Sequence, residues 1–336
     1  MVDTLHRGVN EIHRGLFYVF LLIMFINAEI NVTYITLGGH VEVNNYRYLY
    51  FIIMFTVYIL IICSNATIMC LIIIHKNLHE PMYIFIAALL LNSVLLSTVI
   101  YPKLLIDFLS EKQIISYSAC LFQVFLFYSL NSSEFLLLSA MAYDRYVSIC
   151  KPLQYPTIMR KTTINILLVL AWLLPACQVS VPVIGRANAE LCDLTLEGIF
   201  CNNSFNHLFC VSSTPFSVYG VIVLFNVVVF PVLFILFTYT KILIIAHRSC
   251  GDVRSKAAQT CLPHLLVLVN YFCLFSYDMA IVRLDTKFPK TARFVMTLQI
   301  IAYNPLCNPI IYGLKMKEIS KHLKRLFGQS KQKCRH

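Results

Sequence analysis

Residues 48–74 read YLYFIIMFTVYILIICSNATIMCLIII, an apolar run that contains no Asp, Glu, Lys or Arg. Crossing the hydrocarbon core of a bilayer takes ~20 mostly apolar residues wound into a helix, because a helix satisfies its backbone N–H and C=O groups internally. Six more such runs follow: Met82–Tyr101, Ala119–Met141, Ile164–Ile184, Val218–Thr240, Leu262–Val282 and Phe294–Tyr312. Only 13% of the 336 residues are charged, where a soluble domain carries roughly 25%, and the mean hydropathy is +0.73. The expected fold is therefore an all-α membrane protein, a seven-transmembrane helix bundle over 48–312. Residues 1–47 precede the bundle, and 313–336 form a short amphipathic helix and a basic tail.

The net charge of +11 is distributed unevenly. The loops after the first, third and fifth runs carry Lys76, Arg145, Lys151, Arg160, Lys161, Lys241, Arg248, Arg254 and Lys256. The tail adds Lys315, Lys317, Lys321, Lys324, Arg325, Lys331, Lys333 and Arg335. Cations concentrate on the cytoplasmic side of membrane proteins, so the tail is expected inside and residues 30–47 outside, in a multi-pass protein of the plasma membrane. Acidic lipid headgroups beside the tail account for the basic balance, and nucleic acid is not needed to explain it. Leu16–Ile26 is too short to span and suits a signal-peptide core, with Ala28 as a cleavage position that Ile26 fits poorly; a cleaved and an uncleaved leader both remain open. With ten glycines, no phosphate loop, no nucleophile elbow and no zinc motif, the chain offers nothing an enzyme needs, and no cofactor or metal is expected. A transporter would show an inverted repeat or a pair of broken helices, and neither is visible.

Cys63, Cys70, Cys177, Cys273 and Cys307 fall inside the runs and read as buried thiols. Cys120, Cys192, Cys201 and Cys210 fall on the outer side, where an oxidising compartment favours two disulfides in any of three pairings.

The third run ends in Met-Ala-Tyr-Asp-Arg-Tyr, 141–146, followed by Val147-Ser148-Ile149-Cys150-Lys151-Pro152-Leu153-Gln154-Tyr155. Asp144 and Arg145 place an ion pair where the helix leaves the bilayer, a latch that opens when Arg145 finds another partner. This stretch resembles the MAYDRYVAIC-PLxY signature of olfactory receptors in the rhodopsin-like G-protein-coupled class. Leu78-His79-Glu80-Pro81-Met82-Tyr83 is similar to their LHxPMY motif, and Lys256 to His264 is similar to their KAxSTCxSH entry to helix six. Asn308-Pro309-Ile310-Ile311-Tyr312 matches the NPxxY of the class, and Pro102-Lys103 closes helix two as in the family. The resemblance covers about Asn31 to Phe327, and Tyr46–Tyr50 looks like the branch found in fishes.

The resemblance implies an odorant receptor that binds small molecules in the bundle and activates a heterotrimeric G protein of the stimulatory, olfactory type. It implies that Arg145, released from Asp144 and flanked by Tyr146, engages the G protein. It also implies that Tyr239 and Tyr312 swing inward in the active state, with Asn308 and Pro309 in the moving segment. Pro231 and Pro309 each remove a backbone donor and supply hinges or static kinks. The family pairing is Cys120 with Cys201 and Cys192 with Cys210. The alternative function is a non-olfactory rhodopsin-like receptor for a peptide or an amine, but Phe127 stands where amine receptors of the class carry Asp.

Glu134 lies eleven residues before Arg145, ~16 Å deeper on nearly the same face at 1.5 Å and 3.6 residues per turn. A carboxylate there costs ~3 kcal/mol on insertion scales, so a partner or protonation is expected. Olfactory receptors pair this Glu with an Asp in helix two that helps bind sodium; the matching position here is Ser93, beside Asn92, which puts that site in doubt. A neutral Glu134 needs hydrogen-bonding neighbours, for which Asn131, Ser93 and Asn308 are candidates.

The expected ligand pocket combines Asn131, Tyr128 and Phe127, above Glu134, with a stripe on helix six. Phe272, Ser276, Met279 and Arg283 recur there at i, i+4, i+7 and i+11, the spacing of one helical face. Arg283 could meet an anionic odorant, or pair with Asp278 or Asp285. Asn31-Val32-Thr33 is an exposed glycosylation sequon and Asn202-Asn203-Ser204 a more crowded one, whereas those at Asn65 and Asn131 lie inside the bilayer.

Overall fold

The structure is a computed structural model, and it describes residues 33–210, 214–247, 261–262, 264–276 and 289–333. The leader at 16–26, the sequon at Asn31, and Met279 and Arg283 lie outside the described residues. Seven helices form the bundle: α1 (Val43–Ile74), α2 (Pro81–Leu109), α3 (Tyr117–Cys150), α4 (Lys161–Gly185), α5, α6 (His264–Ser276) and α7 (Lys290–Lys315). Helix α5 runs from Thr214–Leu224 through a π-helical turn, Phe225–Val229, into Phe230–His247. A further helix, α8 (Lys317–Lys333), follows α7 after one break at Met316. All of α1 to α5 and α7 are long and apolar enough to cross a membrane, and α6 is a shorter apolar helix over its described residues. The chain is a multi-pass membrane protein.

Local chemistry places the helix ends. Pro81 occupies the first turn of α2, where a missing N–H costs nothing. Ser116 caps α3, its Oγ accepting from the Ala119 N–H at 3.3 Å. The π-turn in α5 lies directly before Pro231, which withholds one backbone donor from the helix ladder. Pro102 does not end α2 as expected. The helix continues to Leu109, and Lys103 and Asp107 pair one turn apart across the extension.

Helix α3 is the central post, packed against α2, α4 and α5, while α7 closes the bundle against α1 and α2. The most apolar stretches of α2 and α3 are 72% buried inside the protein, against 28% or less in α1, α4 and α5. The outer helices therefore turn most of their apolar surface to lipid, where it costs nothing.

At the end that carries the disulfides, a three-stranded sheet of order β2-β1-β3 covers the bundle: β1 is Tyr34–Leu37, β2 Ile114–Ser116 and β3 Thr195–Leu196. The first strand sits in the middle, antiparallel to β2 and parallel to β3. Ile35 and Leu37 are buried with Leu196, Cys201 and Phe205 in a small second core. Immediately after β1 the Gly39 backbone runs against Gly198, so close that a Cβ there would stand 2.5 Å from the Gly198 carbonyl carbon. Only glycine permits that approach.

Candidate functional site

The disulfides are Cys120–Cys201 and Cys192–Cys210, the pairing the resemblance implies. The first ties the loop after α4 to the start of α3, and the Cys201 N–H also donates to Gln123 Oε1 at 2.9 Å. The loop's Phe200 thereby rests on Phe127 at a ring separation of 4.9 Å.

Below Phe127 lies an apolar cavity between four helices. Leu96, Ser97 and Ile100 come from α2, Phe127 and Asn131 from α3, and Tyr271, Leu274 and Phe275 from α6. Ile300, Ile301, Asn304 and Pro305 of α7 complete the wall. The cavity is small, about 20 Å³, room for one water. A small-molecule site commonly needs ~300 Å³ or more, so a ligand must push these side chains apart.

Of the expected pocket residues, Phe127 and Asn131 line the cavity, and Tyr128 is half-buried with its ring edge-on to Phe127 at 5.1 Å. The stripe expected on α6 is corrected. Phe272 is 44% exposed and Ser276 is also exposed, both on the outside of the bundle, whereas Tyr271 and Phe275 point inward. Tyr271 decides the rotation: its hydroxyl donates to Asn131 Oδ1 at 2.6 Å, and the Asn131 carbonyl lies 2.8 Å away. Phe135 packs under both rings, 4.7 Å from Tyr271 and 5.6 Å from Phe275.

Glu134 has no exposure and is joined to the cavity wall through Asn304. Asn304 Nδ2 donates to its Oε2 at 3.1 Å and Asn308 Nδ2 to its Oε1 at 2.9 Å. Ser93 Oγ accepts from Asn308 at 2.9 Å and does not reach Glu134 itself. Asn131, turned toward Tyr271 and the Phe127 carbonyl, is likewise no partner of the carboxyl group. Asn304 was not anticipated, although it stands one helical turn from Asn308, a spacing that would have revealed it. The Oδ1 atoms of Asn304 and Asn308 are buried without a partner.

At the opposite end of α3, Arg145 donates through Nε and Nη2 to Asp144 Oδ2, the Nε bond at 2.9 Å. Tyr155, in the short helix Tyr155–Ile158, donates its hydroxyl to Asp144 Oδ1 at 2.8 Å, a third member that the sequence did not disclose. Burial and the Asp144 carboxylate both push the Tyr155 phenol upward, which keeps it a donor. Tyr146 is half-buried against the core. Tyr239 and Tyr312 are buried, and the Tyr312 hydroxyl lies 3.3 Å from His264 Nδ1. Pro309 lies inside α7 between Asn308 and Tyr312, so one continuous helix runs from the cavity to this end.

Seven helices, a central cavity, a buried polar cluster and an Asp-Arg-Tyr turn at the far end define a seven-helix membrane receptor of the rhodopsin-like class. The sequence profile described as "Olfactory receptor" matches residues 54–330. Human olfactory receptor 2M5 is 29% identical over 310 residues, covering 91% of this chain and 98% of the relative. Human olfactory receptor 10AG1 is 33% identical over 307 residues, covering 87% and 97%. Human olfactory receptor 2AT4 is 32% identical over 283 residues, covering 83% and 88%. The chain belongs to the olfactory receptor family.

Proposed function

We propose that the protein is an odorant receptor, with its amino terminus outside the cell and its basic tail in the cytoplasm. A small, mostly apolar molecule enters the cavity between Phe127, Asn131, Tyr271 and Phe275, and the receptor activates a stimulatory, olfactory-type heterotrimeric G protein. The observation that carries this reading is the continuity of α7. Asn304 lines the cavity and holds Glu134, Asn308 holds the same carboxyl group, and Tyr312 two turns below Pro305 meets His264 near the Arg145 end. A ligand that widens the cavity must move Tyr271 or Asn304. Either displacement is transmitted along a packed helix with a proline hinge to the Asp144–Arg145 latch. Arg145, released, offers a planar guanidinium to the G protein.

The test is an odorant panel on cells expressing the receptor with a cyclic-AMP reporter, with Arg145→Ala at matched surface expression as control. At least one odorant should raise cyclic AMP through the wild type and fail through the variant. An equal response from both would overturn the assignment of Arg145, and ligand-dependent flux without cyclic AMP would overturn the receptor reading.

A further inference from the structure

Among the described residues, the wall of the cavity holds four polar side chains: Ser97, Asn131, Tyr271 and Asn304. The first three are engaged with the protein. Ser97 Oγ donates to the Ser93 carbonyl at 2.8 Å, and Asn131 Nδ2 donates to the Phe127 carbonyl at 2.6 Å while its Oδ1 accepts from Tyr271. Asn304, only 4% exposed, differs from them. Its Nδ2 donates to Glu134, which is not part of the wall, and that bond fixes which way the amide is turned. Its Oδ1 is buried and, among the described residues, meets no donor. Asn308 carries a second such oxygen, but it is not a wall residue. The polar atom that the cavity offers to an incoming molecule is therefore an acceptor.

The rest of the wall fixes the remaining chemistry. Leu96, Ile100, Phe127, Phe275 and Ile300 present hydrocarbon, and no Lys, Arg, His, Asp or Glu stands among the described wall residues. A carboxylate or an ammonium ion would enter without an opposite charge, and such a charge is costly to bury. An ether, ester or aldehyde would bring a second acceptor to Asn304 Oδ1 and leave both without a donor. An O–H group on a hydrocarbon body meets both demands. At about 20 Å³ the cavity already has the space of one water-sized group, so only the body of the ligand has to displace side chains, which favours a slender one. We propose that Asn304 is a specificity-determining residue of the ligand site, accepting a hydrogen bond through Oδ1 from the hydroxyl group of an uncharged aliphatic alcohol. The proposal deepens the odorant-receptor reading above and rests on it for the assignment of the cavity as the ligand site. The contact that selects the alcohol falls on the same amide that holds Glu134, within the helix that continues to Tyr312.

The experiment uses the full-length receptor and a series of straight-chain primary alcohols, each with the methyl ether, aldehyde and thiol of the same heavy-atom count. Binding is read as the rise in thermal midpoint of purified receptor against ligand concentration, and signalling as potency in the cyclic-AMP reporter. At least one alcohol should bind, and its matched ether should bind roughly 5–150-fold more weakly, the cost of burying an acceptor unmet. The aldehyde, which has no donor, and the thiol, a weak one, should fall with the ether. Asn304→Leu keeps the volume and removes the oxygen, and should bring alcohol and ether to near-equal affinity. The wild-type comparison decides by itself if that variant does not fold. An ether or aldehyde that matches the alcohol in the wild type, a failure of every alcohol to bind, or an alcohol preference that survives Asn304→Leu would each overturn the proposal. Alcohol-selective binding without cyclic AMP would uphold the site and count against the signalling reading. Cyclic AMP raised only by compounds without a hydroxyl group would uphold the receptor and overturn this site.

Discussion

Replacing Glu134 by Gln and by Ala separates a carboxyl group that is needed as a hydrogen-bond acceptor from one that is needed as a charge. Glu134 accepts from Asn304 at 3.1 Å and from Asn308 at 2.9 Å, and all three residues are buried. Glu134→Ala takes the acceptor from both amides, and Asn308 then retains only its 2.9 Å bond to Ser93. At about 1–3 kcal/mol for each of the two buried donors left unmet, the loss is roughly 2–6 kcal/mol before any cavity cost. Glu134→Gln keeps one acceptor oxygen and brings an amide N–H₂ to a place where the Oδ1 atoms of Asn304 and Asn308 lack partners. Its cost should be about 1 kcal/mol or less. The assay is the temperature at which purified receptor loses its monodisperse peak in size-exclusion chromatography, together with agonist potency in the cyclic-AMP reporter. With ~2–4 °C per kcal/mol, Ala should lower the midpoint by roughly 4–24 °C and Gln by no more than ~4 °C. Gln should signal nearly as the wild type does, and exchanging sodium for another cation at constant ionic strength should leave potency unchanged. If Gln falls as far as Ala, or if sodium shifts the potency of the wild type alone, the group acts as an ionised ligand and the reasoning is refuted.

Tyr271→Phe removes the bond to Asn131, worth about 0.5–1.5 kcal/mol, and should shift agonist potency by up to roughly tenfold. Phe272→Ala, on the lipid side, should leave potency unchanged, and the reverse pattern in dose–response curves would restore the other rotation of α6. Cys120→Ser and Cys201→Ser should each abolish surface expression, with the double variant no worse, because one cross-link of ~2–4 kcal/mol is lost in all three; surface immunostaining that shows additive losses would contradict the pairing. His40, outside the spans, is held at about pH 4 against an ordinary 6.5 by burial, with Lys103 and Lys290 adding to the depression. Its stabilising effect is complete above pH 6.5 and is lost as the pH falls toward 4, by up to about 3 kcal/mol. Thermal midpoints should therefore drop across that window in the wild type and much less in His40→Asn.

The seven spans were legible because a bilayer demands long apolar helices, and runs such as 48–74 cannot be read otherwise. The face of each helix was legible only where polarity marks it. On α3, Glu134, Asn131 and Arg145 fix the inward side. On α6, residues 271–275 read Tyr-Phe-Cys-Leu-Phe, and an apolar side chain is as comfortable in lipid as in the core. Periodicity alone could not choose between Phe272 and Tyr271, and the choice fell to a hydroxyl that finds Asn131 across 140 positions of sequence. The same applies to Tyr155 and Asp144 and to Asn304 and Glu134, whose meetings depend on how separate helices are placed. The strand at 34–37 carried no signal of its own, since its partners are two short loop segments far along the chain.

The central place of that strand sets an order on biogenesis. Tyr34–Leu37 is made first, yet its parallel partner Thr195–Leu196 is translated only after 157 further residues have followed Leu37. At ~5–20 residues per second, the ribosome needs roughly ten to thirty seconds to cover that distance. Until Ile114–Ser116 emerges, Ile35 and Leu37 stand as an unpaired apolar strand, and the edge that takes Thr195–Leu196 stays open for the whole interval, the kind of edge that recruits wrong partners. Cys120 waits equally for Cys201, so the cap of this receptor closes in one late step, and holding the early strand until then becomes the task of the chaperones on that side of the membrane.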